Sequence, residues 1–386
     1  MENVPAPGET SLRSSSSALW DACYALGQLS GSLRRLPDAA APFLAFRITR
    51  LALLNALSGS GYSSAPQLFD RWVIQAENMP HFTDGATAPS YRIFALVLAE
   101  LQASSWQPLA QAAATVRRAV PHLSQPITPD PAEATGSGEE DGLVAALESA
   151  GMLCEIAFGE EADQHPIDRL CQLVERAAAT RAFFPRQREH QLISTPLGSK
   201  AVEVRPVRPP FWALDLHLGA ALSRLGLMPF ALPLPGATSQ EALDSRGHRQ
   251  QREHAWFGSL TQALRNVQCA FEGALADQKP LEACRSQLRS SSRAPLVYAL
   301  ITALGACRTK DLQQALGASR LGVRGMLESL VTAGLVIRGD RGAWVRANGS
   351  AVAGDGASPV APLPSVNARR IDEDLADLDR ILSRLS

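Results

Sequence analysis

The chain is predicted to be mainly α, a helical body followed by a C-terminal part that ends in a short β-hairpin. Three observations carry that prediction. Apolar residues recur at three- and four-residue steps along most of the chain, which is the spacing of a helix face. Alanine and leucine are abundant while tyrosine occurs only 4 times, a composition that favours helix over sheet. No strand–helix–strand alternation of the sort that builds a parallel sheet is visible. At 386 residues, with 46% apolar and 19% charged side chains, the chain is long enough for two or three domains with cores of their own.

Residues 1–17 are rich in Ser, Pro and Gly and are expected to be disordered. A helical N-terminal domain is expected over 18–120. In its first helix Leu19, Trp20, Cys23, Leu26 and Leu29 recur at helical intervals as far as Gly31. A second helix opens with Pro42 in its first turn, buries Phe43, Phe46, Ile48, Leu51 and Leu54, and ends at Gly59. Three more follow at 66–75, 91–102 and 108–120. Trp20, Phe43, Phe46, Trp72 and Trp106 are expected to fill the core of this domain.

The proline, small and acidic residues of 121–142 read as a linker or long loop. Residues 143–284 form a helical middle region, with helices at 143–158, 168–182 and 211–225 and a long segment at 241–284 that breaks near Gly258 and Lys279. Prolines interrupt 181–208, where VEVRPVR admits one short strand.

A different pattern occupies 285–347. Thr309 is placed to cap a helix, with Asp311 in its first turn and Leu312, Ala315 and Leu316 facing inward. Gly317 ends that helix and Ser319 caps the next. There Val323, Met326, Leu327 and Leu330 face inward, while Arg320 and Arg324 share the outer face one turn apart. Gly334 closes it, and an apolar run at 335–337 turns through 339–342 into 343–346, where Trp344 packs against the module. A helix-turn-helix followed by a hairpin is the outline of a winged helix-turn-helix. Charge points the same way. From Arg285 to Arg346 ten basic residues (Arg285, Arg289, Arg293, Arg308, Lys310, Arg320, Arg324, Arg338, Arg341, Arg346) face three acidic ones (Asp311, Glu328, Asp340), a surplus of seven in a chain of net charge -1.

The run LRSSSRAPLVYALITALGACRTKDLQQALGASRLGVRGMLESLVTAGLVIRGDRGAW resembles the C-terminal DNA-binding domain of a bacterial family common in rhizobia and other alphaproteobacteria, often plasmid-encoded. In that family a helical N-terminal domain of unknown function precedes an RSSSR-type segment and a helix-turn-helix domain, and similar modules follow Fic domains. The similarity is strongest over 288–347, about a sixth of the chain, with a weaker echo over 19–119. Gln313 departs from the pattern: it stands four before Gly317, where such motifs carry a small residue, and this affects the angle between the two helices. The resemblance implies DNA binding and does not name the regulated process.

The expected partner is therefore double-stranded DNA, and the expected role that of a transcriptional regulator. Arg320, Leu321, Arg324 and Gly325 would approach base edges, and Thr309, Lys310, Ser319, Arg338, Arg341 and Arg346 would hold phosphates. The alternatives are a protein-interaction or plasmid accessory module without DNA binding, and a degenerate Fic-like enzyme. Residues 348–366 read as a flexible linker. In the amphipathic helix expected at 367–386, Ile371, Leu375, Leu378, Leu382 and Leu385 form a seam that needs a partner, either a second copy in a homodimer or the protein's own core.

Other chemistry finds little support. The six cysteines include no CxxC pair, so neither a zinc site nor a disulfide scaffold is indicated. The segment Pro80-His81-Phe82 inverts the His-Pro order of a nucleotide-transfer loop, and no phosphate-binding glycine motif occurs. His248, Glu253 and His254 read as a solvated helix face, and Cys154 with His165 as no catalytic pair. No enzyme activity and no cofactor are expected. The N-terminus lacks a signal-peptide pattern and no apolar run approaches the roughly 20 residues of a membrane span, so a cytoplasmic location away from membranes is expected.

Overall fold

A computed structural model describes residues 7–62, 64–74, 87–119, 137–157, 165–184, 189–195, 198–204, 208–244, 247–288, 292–339 and 343–347. These are mainly helical, and no helix among them is long and apolar enough to cross a membrane. The expected tail helix at 367–386, the linker at 348–366 and the His81 segment lie outside the described residues.

The body is built around α9, Arg249–Ala283, which runs unbroken through Gly258 and Lys279 and carries Pro280 within its last turn. The breaks expected there do not occur, and the helix starts at Arg249 rather than near 241. Gly258 costs helix propensity, but Trp256, Phe257, Leu260, Leu264, Val267 and Phe271 are buried around it, and that burial outweighs one weak position. Helix α1, Pro7–Leu33, lies along α9. It begins inside the stretch expected to be disordered. Its buried stripe is Ala18, Ala22, Ala25, Leu29 and Leu33, a small-residue face that lets two helices approach closely. Trp20 lies off that stripe and is 73% exposed, so it is not part of the core.

Helix α2, Ala41–Gly59, has Pro42 in its first turn and buries Phe43, Phe46, Ile48, Leu53 and Leu57. Helices α3, Ala65–Ile74, α4, Thr87–Gln102, and α5, Gln107–Ala119, pack around it, with Trp106 buried and stacked on Phe230 at 5.3 Å between ring centres. The side chain of Trp72 lies outside the described residues. Helix α6, Ser137–Ala157, starts within the segment expected to be a linker. Helices α7, Pro166–Ala179, and α8, Trp212–Arg224, complete this side.

Between α7 and α8 the chain forms an antiparallel hairpin, β1, Glu189–Thr195, with β2, Gly198–Val204, in a register that pairs Glu189 with Val204 and Thr195 with Gly198. A single strand was expected here. The loop after α8 crosses it so closely that a Cβ at Gly219 would stand 1.4 Å from the Leu232 carbonyl oxygen, which only glycine permits. Asp215 of α8 pins the same loop: its carboxylate accepts from the Gly236 and Thr238 amides, both at 2.8 Å, and from Asn55 Nδ2 at 2.9 Å.

Three further helices and a second hairpin follow: α10, Ala294–Leu304, α11, Thr309–Leu316, α12, Arg320–Thr332, β3, Val336–Arg338, and β4, Trp344–Arg346. Helix α10 packs on α2, where Tyr298 meets Phe43 edge-on at 5.9 Å, and α11 packs on α5. One cluster of buried residues runs from Ala18 to Val336. The segments 18–120, 143–284 and 285–347 all contribute residues to this cluster.

Candidate nucleic-acid interface

Local sequence fixes the ends of the two short helices. Gly317 adopts a left-handed conformation, φ 57°, and ends α11. Ser319 caps α12, its Oγ accepting from the Gly322 amide at 3.1 Å. Thr309 is the first residue of α11 and not its cap. Its hydroxyl instead accepts from the Trp344 indole at 2.9 Å, which joins the start of α11 to β4. The helix entry is closed by Asp311, a buried carboxylate that accepts from the Arg308 amide at 3.1 Å.

Helix α12 divides sharply between faces. Val323, Leu327 and Leu330 are buried against α10, α11 and β3. Arg320, Leu321, Arg324 and Gly325, in its first two turns, are exposed, with Leu321 79% exposed. Arg324 Nε donates to Glu328 Oε1 at 2.7 Å across one turn of the helix. The four residues expected at base edges are thus all exposed.

The expected phosphate ligands divide. Lys310, Ser319 and Arg338 are exposed and Thr309 is half-buried. Arg341 lies outside the described residues. Arg346 departs from expectation: its Nη1 donates to Asp277 Oδ1 at 2.5 Å, and the buried Asp277 also receives Arg47 Nε at 3.0 Å and Nη2 at 2.7 Å. A guanidinium held by a buried carboxylate is a tie between β4 and α9 rather than a hand held out to phosphate. Asp277 was not foreseen. An isolated Asp in an otherwise apolar helix stretch, ALADQ, was its one signal.

The hairpin is wider than β3 and β4 alone. Cys307, between α10 and α11, pairs with Trp344 through hydrogen bonds of 3.0 and 2.7 Å and so adds a one-residue third strand.

The other sequence candidates are dispersed. Arg249, at the start of α9, is held by Glu253 at 2.8 Å and Glu175 at 3.0 Å, so the RGHRQQREH run forms ion pairs. Cys154 is buried in α6 with its thiol pushed up to about 12 by burial, while the His165 ring caps α7 by accepting from the Ile167 amide at 3.3 Å. No group of three potential metal ligands occurs among the described residues. A cleft of about 360 Å³ lies between α1 and α9, lined by Asp21, His254, Thr261 and Arg265.

A scan against protein-family models gives no match, and a search of curated proteins gives none.

Proposed function

We propose that the chain binds double-stranded DNA through α12 and the adjoining hairpin, as a transcriptional regulator whose C-terminal part is a winged helix-turn-helix. The observation that carries the reading is the division of α12: Val323, Leu327 and Leu330 anchor it on the core while Arg320, Leu321, Arg324 and Gly325 are all exposed. An α-helix fits the major groove of B-DNA. Arginine reads guanine there, and an apolar side chain such as Leu321 suits the thymine methyl. Lys310, Ser319 and Arg338, also exposed, take the backbone phosphates. The strand pairing at Cys307 suits a winged module, in which the hairpin is extended by a residue ahead of the first helix of the pair.

The test is selection from a random-sequence duplex pool at two salt concentrations, with Arg324→Ala and Arg338→Ala beside the native chain. Arg324→Ala should cost about 1 to 3 kcal/mol on the selected site only, whereas Arg338→Ala should lower affinity for every sequence and reduce the salt slope by about one. Equal losses from both variants on selected and random DNA would overturn this division of roles.

A second reading has an observation of its own. Leu321, Val331 and Ile337 are all substantially exposed near this face, as a protein-docking surface would have them. Retention on DNA that is absent, or insensitive to salt, favours that reading, because phosphate binding must release counterions.

A further inference from the structure

The pairing of Arg324 with Glu328 leads beyond generic DNA binding, although its role rests on that reading of the α12 face. Glu328 stands one turn after Arg324, and both side chains are largely exposed. The pair therefore adds little to stability. Its geometry is selective: Arg324 donates its Nε–H to Glu328 Oε1 at 2.7 Å, and no second bond from its Nη atoms to Glu328 accompanies it. The guanidinium is gripped by its inner nitrogen, so its two terminal nitrogens, whose end-on N–H groups run parallel, stay out of that bond. Such a fork matches the O6 and N7 acceptors that guanine alone presents side by side in the major groove.

Glu328 has a second effect. A carboxylate on a surface that meets a polyanion repels phosphate, so it opposes backbone binding that does not bring Arg324 onto a base. We infer that Glu328 is a positioning residue that aims Arg324 at a base edge, so that the DNA this face takes carries a guanine at the position Arg324 reads. Gly325 beside Arg324 fits the same picture, since a Cβ there would meet nothing within 4 Å and no side chain screens the fork from one side.

The experiment is random-duplex selection followed by anisotropy titrations, using the full chain and its Glu328→Ala, Glu328→Gln and Arg324→Ala variants. Thermal melting should be nearly unchanged in all three. The native chain should enrich one guanine that Arg324→Ala no longer requires, with a preference of roughly ten- to a hundredfold. Glu328→Ala should cut that preference by about threefold or more, yet raise affinity for random duplex, a combination that loss of structure cannot produce. Glu328→Gln, whose amide oxygen still accepts from Nε, should keep part of the guanine preference while losing the repulsion. An enriched motif whose guanine survives Glu328→Ala undiminished, or one with no guanine dependent on Arg324, overturns the inference and leaves DNA binding standing. No retention of the native chain at low salt overturns both.

Discussion

Gly325 stands in the interior of an exposed helix face, and neither packing nor backbone strain accounts for it, since a Cβ there would meet nothing within 4 Å beyond its chain neighbours and its own helix backbone. Glycine there costs about 0.5 to 1 kcal/mol relative to alanine. On the proposed function, that cost is offset by close approach of the helix backbone to DNA. Gly325→Ala should therefore raise unfolding free energy by about 0.5 to 1 kcal/mol in a urea titration and weaken duplex binding by about tenfold. A variant that is more stable and binds as well as the native chain would show that no close approach occurs. Gly317 has a different reason to be glycine, its left-handed conformation at the end of α11. The two are indistinguishable as letters and separate as environments.

At the scale of elements, Asp277 connects three parts of the fold. Its carboxylate joins α9 to Arg47 of α2 and to Arg346 of β4. The neighbouring turn of α9 is fitted to the same tie, for a Cβ at Gly273 would come within 2.8 Å of the Arg47 guanidinium carbon. Replacing the acid removes the one negative charge that both guanidiniums share. Asp277→Asn should lower unfolding free energy by about 3 to 5 kcal/mol, visible as a fall in the midpoint of chemical denaturation. A loss below about 1 kcal/mol would mean that the tie is no stronger than a surface pair. The hairpin has a second anchor in the Trp344 to Thr309 hydrogen bond, so β4 is held to both α9 and α11.

For the whole molecule up to Ala347, one shared core means that the helices carrying the proposed reading face are seated on the body through α10 on α2 and α11 on α5. Stability of the body and order of that face are therefore linked. Asp215, deep in this core, makes the linkage depend on pH. Burial pushes its carboxyl up to about 7 from an ordinary 3.8, and the hydrogen bonds from Gly236, Thr238 and Asn55 only partly offset that. Because the folded value lies above the unfolded one, the contribution to stability is complete below about pH 3.8 and is lost as pH rises through about 7. Between pH 4.5 and 7.5 the native chain should lose unfolding free energy relative to Asp215→Asn, which cannot titrate. Parallel stability profiles for the two proteins would show that Asp215 is ionised throughout the range.

Periodicity alone carried the helices of the body, the Gly317 and Gly334 ends, the Ser319 cap, the inward stripe of α12 and the β3–β4 hairpin. Those features depend on residues close in sequence, whose propensities and spacing act whatever the rest of the chain does. The exposure of Arg320, Leu321, Arg324 and Gly325 was legible for the same reason. Trp20, Thr309 and Arg346 were misread because their surroundings come from distant segments: helix α9, which takes the alanine side of α1 and leaves Trp20 outside, the Trp344 indole and the Asp277 carboxylate. The unbroken course of α9 belongs to this group too, since burial on neighbouring helices overrides the local weakness at Gly258. The β1–β2 hairpin was missed although alternation in HQLIST and SKAVEV, with a proline and a glycine between them in the sequence, signalled it; the surrounding prolines masked a pattern that was present. A side chain's period is written in its own neighbourhood, but its partner is chosen by the packing of elements far apart in the chain, and that choice separates a phosphate ligand from a structural tie.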